Sequence, residues 1–188
     1  MTWDLPKAVE IDGNEYKITN ECDYRVVLDV IKVFKDNDLS DAEKIFCGLS
    51  IFYEDKAVLK DAETCDKALR QMMVIINNGE EQTEEDNSPP IMDWEHDFNV
   101  LAPQINKVLG LEIRNPDKYL HWYTFVGGYY GIEPENNPWA TIIGIRNKLR
   151  SGKKLEKWEE KFYRENKKRV DLPLNLTTEE SEWLDSDW

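Results

Sequence analysis

Tyr24-Arg25-Val26-Val27-Leu28-Asp29-Val30-Ile31-Lys32-Val33-Phe34 is the stretch whose period decides the fold class of this chain. Tyr24, Val27, Leu28, Ile31 and Phe34 fall at i, i+3, i+4, i+7 and i+10, which places them on one face of a helix. The helix should end near Asp36-Asn37-Asp38. Ser40 then reads as an N-cap, and Glu43 three residues on completes a capping box. The second helix carries the stripe Ala42, Ile45, Phe46, Leu49, Phe52 and Tyr53. A third begins near Asp61 with Cys65, Leu69, Met72, Met73 and Ile76, and Asn77-Asn78-Gly79 stops it. Three amphipathic helices with short connections predict an antiparallel bundle.

Upstream, residues 8–18 alternate instead: Val9, Ile11, Tyr16 and Ile18 are separated by polar neighbours, with Asp12-Gly13-Asn14 between the halves. That pattern predicts a short β-hairpin, which needs the helices to pack on. Downstream, residues 79–90 hold five acids, no base and two prolines, the composition of a solvated linker or mobile loop.

The second half opens at Asp93 with a helical face of Trp94, Phe98, Leu101, Ile105 and Val108, closed by Gly110. Pro103 inside it should kink or divide the helix. Tyr119–Val126 is the most aromatic segment and predicts a buried central helix ended by Gly127-Gly128. A helix from Trp139 carries Ile142, Ile143, Arg146 and Leu149, and another runs from about Leu155 to Val170. The expected fold is therefore mainly α, a helical bundle with a short N-terminal β-hairpin. We expect one helical domain over 1–170, divided into halves by the acidic loop 79–90, and an acidic, flexible tail over 171–188.

Composition excludes several classes. The chain has 188 residues and a net charge of −14, so a whole-surface nucleic-acid binder is not expected, because phosphate recognition runs on Lys and Arg. Its 40% apolar content, with 7 Trp, 8 Tyr and 6 Phe, argues against wholesale disorder. Cys22, Cys47 and Cys65 are odd in number and widely spaced, so they read as buried thiols of a reducing compartment. The N-terminal residues lack a basic region followed by an apolar one, and no apolar run approaches the ~18 residues a membrane span needs. A soluble intracellular protein is expected.

Charge is uneven. Residues 144–170 hold eleven bases against four acids, a local +7, so the remainder carries −21. Within this run Lys153, Lys154, Lys157, Lys161 and Arg164 read either as a solvated helical face or as a docking patch for an acidic protein surface or for the chain's own tail. Residues 171–188 contain six acids and no base, and Glu182-Trp183-Leu184-Asp185-Ser186-Asp187-Trp188 pairs acids with two tryptophans. Trp183 and Trp188 are candidate partner-binding residues.

Catalytic chemistry finds little footing. Asp93, His96 and Asp97 can share a helical face, but a bundle metal site needs carboxylates from several helices. A helix-start cluster is the simpler reading, a metal-dependent hydrolase the sharper one. His121 has no carboxylate within a turn and reads as a hydrogen-bonded core histidine. Gly127-Gly128 and Gly131 match no phosphate-binding loop. No catalytic residue, metal or cofactor is expected.

Four segments occur in a telling order: Asp93-Trp94-Glu95-His96-Asp97; Leu120-His121-Trp122-Tyr123-Thr124-Phe125; Ile142-x-x-Ile145-Arg146; and Gly152-Lys153-Lys154-Leu155-Glu156-Lys157-Trp158-Glu159-Glu160-Lys161-Phe162-Tyr163. With the N-terminal hairpin and helices, this order resembles the bacteriophage gene-product-fifteen family of phages and prophages of Gram-positive bacteria, over most of residues 5–170. Pro103 departs from the plain helix expected there. The resemblance implies a non-enzymatic tail assembly protein, a chaperone that coats the tape-measure protein, recruits tail-tube subunits and leaves the finished tail. It would act in the host bacterial cytoplasm and be absent from the mature virion, with no membrane or nucleic-acid partner; self-association stays open. The alternative is a minor structural component of the tail or head–tail junction.

Overall fold

Asp12 and Gly13 reverse the chain with φ of 51° and 78°, the two positive values a tight hairpin turn requires. They join β1 (Ala8–Ile11) to β2 (Asn14–Lys17), antiparallel with Val9 opposite Tyr16 and Ile11 opposite Asn14. Val9, Ile11, Tyr16 and Ile18 are buried, as their alternation predicts. The computed structural model describes residues 4–80 and 90–173; residues 81–89 of the acidic loop and residues 174–188 of the tail lie outside that range. The described residues form two compact units, one comprising 4–80 and 119–126, the other 90–118 and 127–173.

The first unit holds the hairpin, α1 (Tyr24–Lys35), α2 (Asp41–Phe52) and α3 (Ala62–Ile76). Each helix starts where a side-chain cap stands. Asp23 accepts from the Arg25 N–H, and Asp61 from that of Thr64. The capping box forms, with Ser40 N–H donating to Glu43 at 2.9 Å and Glu43 N–H to Ser40 Oγ at 3.4 Å. These bonds satisfy donors that a helix N-terminus leaves open. Asn78 and Gly79, with φ of 59° and 89°, close α3 as expected.

The buried faces differ from the predicted ones by a rotation. In α1, Tyr24, Val26, Val27 and Val30 are buried, while Leu28, Ile31 and Phe34 are half-buried. Val26, Val30 and Val33 form a second apolar row, and period alone cannot choose between rows. In α2, Leu49 and Phe52 are buried, followed by Tyr53 just past the helix end, but Ala42 is exposed and Phe46 is 59% exposed. In α3 the core row is Thr64, Ala68, Met72 and Ile75. Its small members let the Tyr53 hydroxyl reach the Ala68 carbonyl at 2.9 Å.

Between hairpin and α1 the backbone makes a left-handed turn. Asn20, Glu21 and Cys22 have φ of 49°, 54° and 65°, none of them glycine. Such residues cost about 1–2 kcal/mol each in this conformation. Three long-range bonds hold the turn against that cost. The Tyr119 hydroxyl donates to the Glu21 carbonyl at 2.9 Å, Leu120 N–H to Asp23 at 3.0 Å, and Tyr24 N–H to the Leu120 carbonyl at 2.9 Å. Segment 119–126 is thus stitched into the first unit.

The second unit contains α4 (Trp94–Leu109), α6 (Pro138–Arg150), α7 (Lys157–Glu165) and α8 (Lys167–Val170). Pro103 does not divide α4: it is exposed, and so is Asn99, whose carbonyl loses the missing N–H to solvent. Asn137 caps α6, with Pro138 at its first position. The helix expected over 155–170 is broken at Asn166, whose φ of −123° ends α7 and whose carbonyl accepts the N–H groups of Arg169 and Val170.

Helix α5 (Trp122–Tyr130) starts later than expected and runs through Gly127-Gly128 instead of ending there. The reason is packing. A Cβ on Gly128 would meet Leu109 Cγ at 2.9 Å and Ile105 Cγ2 at 3.0 Å, and one on Gly131 would meet Val108 Cγ1 at 2.7 Å. These glycines let the end of α5 lie against α4. Gly128→Ala should therefore destabilise by about 1–3 kcal/mol, the usual cost of overpacking. Gly127→Ala meets nothing within 4 Å and should be neutral or stabilising by up to about 1 kcal/mol through helix propensity. Urea midpoints of the two variants check the contrast; equal effects would refute the packing argument.

Candidate functional site

The helix-start cluster of α4 resolves into a buried node. Asp93 accepts from His96 N–H at 2.9 Å, and Asp97 accepts from Asp93 N–H at 3.0 Å. Asp97 is 1% exposed and meets Arg146 of α6 through two parallel bonds of 2.7 and 2.8 Å. Arg146 spends its remaining donors on carbonyls: Ile91 at 3.0 Å, Arg169 at 2.9 Å and Val170 at 2.6 Å. All five guanidinium N–H groups are thus engaged, the condition under which a buried charge is tolerated. The node ties the start of α4, the middle of α6 and the end of α8 together.

In this arrangement each of the three residues of the metal reading faces another group of the fold. Asp97 is occupied by Arg146, Asp93 by the helix N-terminus, and His96 Nε2 lies 3.4 Å from the Arg169 carbonyl. Among the described residues no group of three His, Cys, Asp or Glu side chains is placed to hold a metal ion. Arg146, one of the eleven bases of the run 144–170, is drawn into the fold instead of standing with the surface cations. The signal was present, because Arg146 falls on the apolar stripe of α6 beside Ile142, and Asp97 stands four and eight residues before Leu101 and Ile105. A charge on an apolar stripe needs a buried partner.

A second pair orients α7. Glu159, 4% exposed, accepts from Lys148 Nζ at 2.7 Å to each oxygen, and from Glu156 N–H at 2.8 Å. Burial alone would raise its pKa, but these bonds hold the carboxyl below its usual value. Glu159 on Lys148 in turn raises that ammonium's pKa. Because Glu159 faces inward, Lys157, Lys161 and Arg164 stand outward on α7. Lys153 and Lys154 are exposed on the turn that Gly152, with φ of 64°, makes after α6. All five predicted cations are therefore at the surface together with Trp158, which is 55% exposed. Lys161 lies 4.0 Å from Glu165; the other four make no ion pair among the described residues. Trp183 and Trp188 lie outside the described residues.

His121, in the first unit, is 1% exposed. Its Nδ1 accepts from Tyr123 N–H at 3.0 Å, so the ring proton sits on Nε2 and donates to the Pro6 carbonyl at 2.9 Å. Burial lowers its pKa, with Lys7 adding to the effect and the Pro6 carbonyl opposing it. A proton on Nδ1 would confront a donor. Above about pH 6.5 folded and unfolded chains both carry neutral imidazole here. Below it the unfolded chain takes up a proton that the folded chain refuses, so stability falls as pH drops toward the folded pKa. Urea midpoints between pH 5 and 8 should show this slope, and His121→Leu should flatten it. Cys22 is similarly inert, its thiol pushed up to about 12 by burial.

No helix among the described residues is long and apolar enough to cross a membrane. The model of the family described as Bacteriophage Gp15 protein matches residues 1–172. No curated protein and no solved structure matches the chain.

Proposed function

The chain belongs to the Bacteriophage Gp15 protein family, and on that premise we propose that it is a non-enzymatic phage tail assembly protein, a chaperone for the tape-measure protein and tail-tube subunits. The family match over residues 1–172 carries this reading. The surface is consistent with it: exposed Lys153, Lys154, Lys157, Lys161 and Arg164 stand on a chain of net charge −14. High net charge keeps a protein dispersed while a patch of opposite sign recognises acidic partners. In this reading the protein works in the host cytoplasm, takes no cofactor, and leaves before the virion matures.

Co-expression with the tape-measure protein of the same phage tests it. The expected result is a soluble tape-measure protein that co-purifies with this chain. Absence of association at moderate salt overturns the proposal. Mass spectrometry of purified virions separates the chaperone role from that of a tail component: stoichiometric presence in the particle favours the latter.

A further inference from the structure

We propose that the acidic C-terminal segment of this chain, residues 174–188, docks on the cationic face formed by α7 and the turn before it. Four observations point there.

The first is where the described chain stops. Arg146 holds the carbonyls of Arg169 and Val170, and the Tyr163 hydroxyl of α7 donates to Asp171 at 2.8 Å. The segment therefore begins three residues beyond a contact with α7 itself. The second is reach. Glu179 lies six residues beyond Pro173, which spans up to ~20 Å when extended. Helix α7 has nine residues and is only ~14 Å long. Every acid of the segment can reach the face without moving the fold.

The third is charge. Residues 174–188 contain five acids and no base. The outward residues of α7 and its preceding turn include Lys153, Lys154, Lys157, Lys161 and Arg164, with further cations at 167–169. The buried Glu159 is already matched by Lys148, and three exposed acids, Glu156, Glu160 and Glu165, stand against the eight outward cations of residues 153–169, so the face keeps a balance of 8 − 3 = +5. The fourth is the aromatic content. Trp158 is 55% exposed among the cations, and the segment supplies Trp183, Leu184 and Trp188. Tryptophan can cover apolar surface and sit over Lys or Arg at once.

Individually such exposed pairs are weak, about 0–1 kcal/mol each. Tethering changes the balance, because a linked segment meets its site at an effective concentration in the millimolar range. The contact should weaken with salt, since the Debye length falls from ≈ 10 Å at 0.1 M to ≈ 3 Å at 1 M.

The test uses the full chain. Zero-length carbodiimide coupling, followed by peptide mapping, should link acids of 179–187 to Lys153, Lys154, Lys157 or Lys161 within the monomer, independently of protein concentration. The indole N–H resonances of Trp183 and Trp188, assigned with Trp183→Phe and Trp188→Phe, should move to free-peptide positions in the triple variant Lys157→Glu/Lys161→Glu/Arg164→Glu. The same movement should occur in wild-type chain at 1 M salt. Circular dichroism of the triple variant confirms that these exposed changes leave the fold intact. Cross-links confined to a dimer would place the segment on a second copy and overturn the proposal. So would indole resonances already at free-peptide positions in low salt, or ones unmoved by both salt and charge reversal.

Discussion

Arg146→Met should cost about 3–5 kcal/mol of stability, the range for breaking a buried ion pair from one side. The guanidinium neutralises Asp97 through two bonds and donates to three carbonyls, those of Ile91, Arg169 and Val170. Methionine fills comparable volume, so cavity formation contributes little. What remains is a carboxylate at 1% exposure that, among the described residues, has only the Asp93 N–H to face it, and three carbonyls without their Arg146 donor. Asp97→Leu should be comparably damaging, because it leaves the buried cation uncompensated. The double variant Arg146→Met/Asp97→Leu should recover part of the loss, a non-additivity characteristic of residues in direct contact. Urea unfolding followed by far-ultraviolet circular dichroism reads all three. A loss under about 1 kcal/mol for Arg146→Met would mean that solvent reaches the node, contrary to its burial.

Phe125→Ala should be of similar size, about 3–5 kcal/mol, from lost transfer energy plus the cavity left behind. Phe125 is fully buried, stacks on Tyr24 with ring centroids 4.4 Å apart and 9° between planes, and lies 5.7 Å from Trp122. Its removal unsupports both neighbours at the point where segment 119–126 is stitched to α1. Trp122 would keep its own anchor, an indole N–H donated to the Ile76 carbonyl at 3.0 Å. Phe125→Leu, which leaves a smaller void, should cost less. Tyr130→Ala, on the same helix but at a position 71% exposed, should stay within about 0.5 kcal/mol of wild type. Equal urea midpoints for Phe125→Ala and Tyr130→Ala would refute the assignment of Phe125 to the core.

Local features were legible because their causes are local. The hairpin turn at Asp12-Gly13, the capping box of Ser40 and Glu43, the helix starts near Asp61 and Asp93, and the stops at Gly79 and Gly110 each depend on residues a few positions apart. The left-handed turn at Asn20-Glu21-Cys22 was not legible. No glycine marks it, and the groups that hold it come from Tyr119 and Leu120, about a hundred residues away. The Gly127-Gly128 pair was misread for the same reason. Taken alone, paired glycines signal a helix end; with Leu109 and Ile105 against them, they permit close packing inside one.

The basic run illustrates the same division at the candidate site. Sequence alone determines that residues 144–170 carry +7 in a chain of −14 and that Lys153, Lys154, Lys157, Lys161 and Arg164 lie within that run. Which charges are available was decided only by tertiary structure. Arg146 is drawn inward because Asp97, forty-nine positions earlier, stands on the facing helix, and Lys148 is matched by Glu159 from the next one. Charge is a property of each residue and can be counted. Burial and partnership are properties of pairs of elements, and they exist only once the chain has brought those elements together.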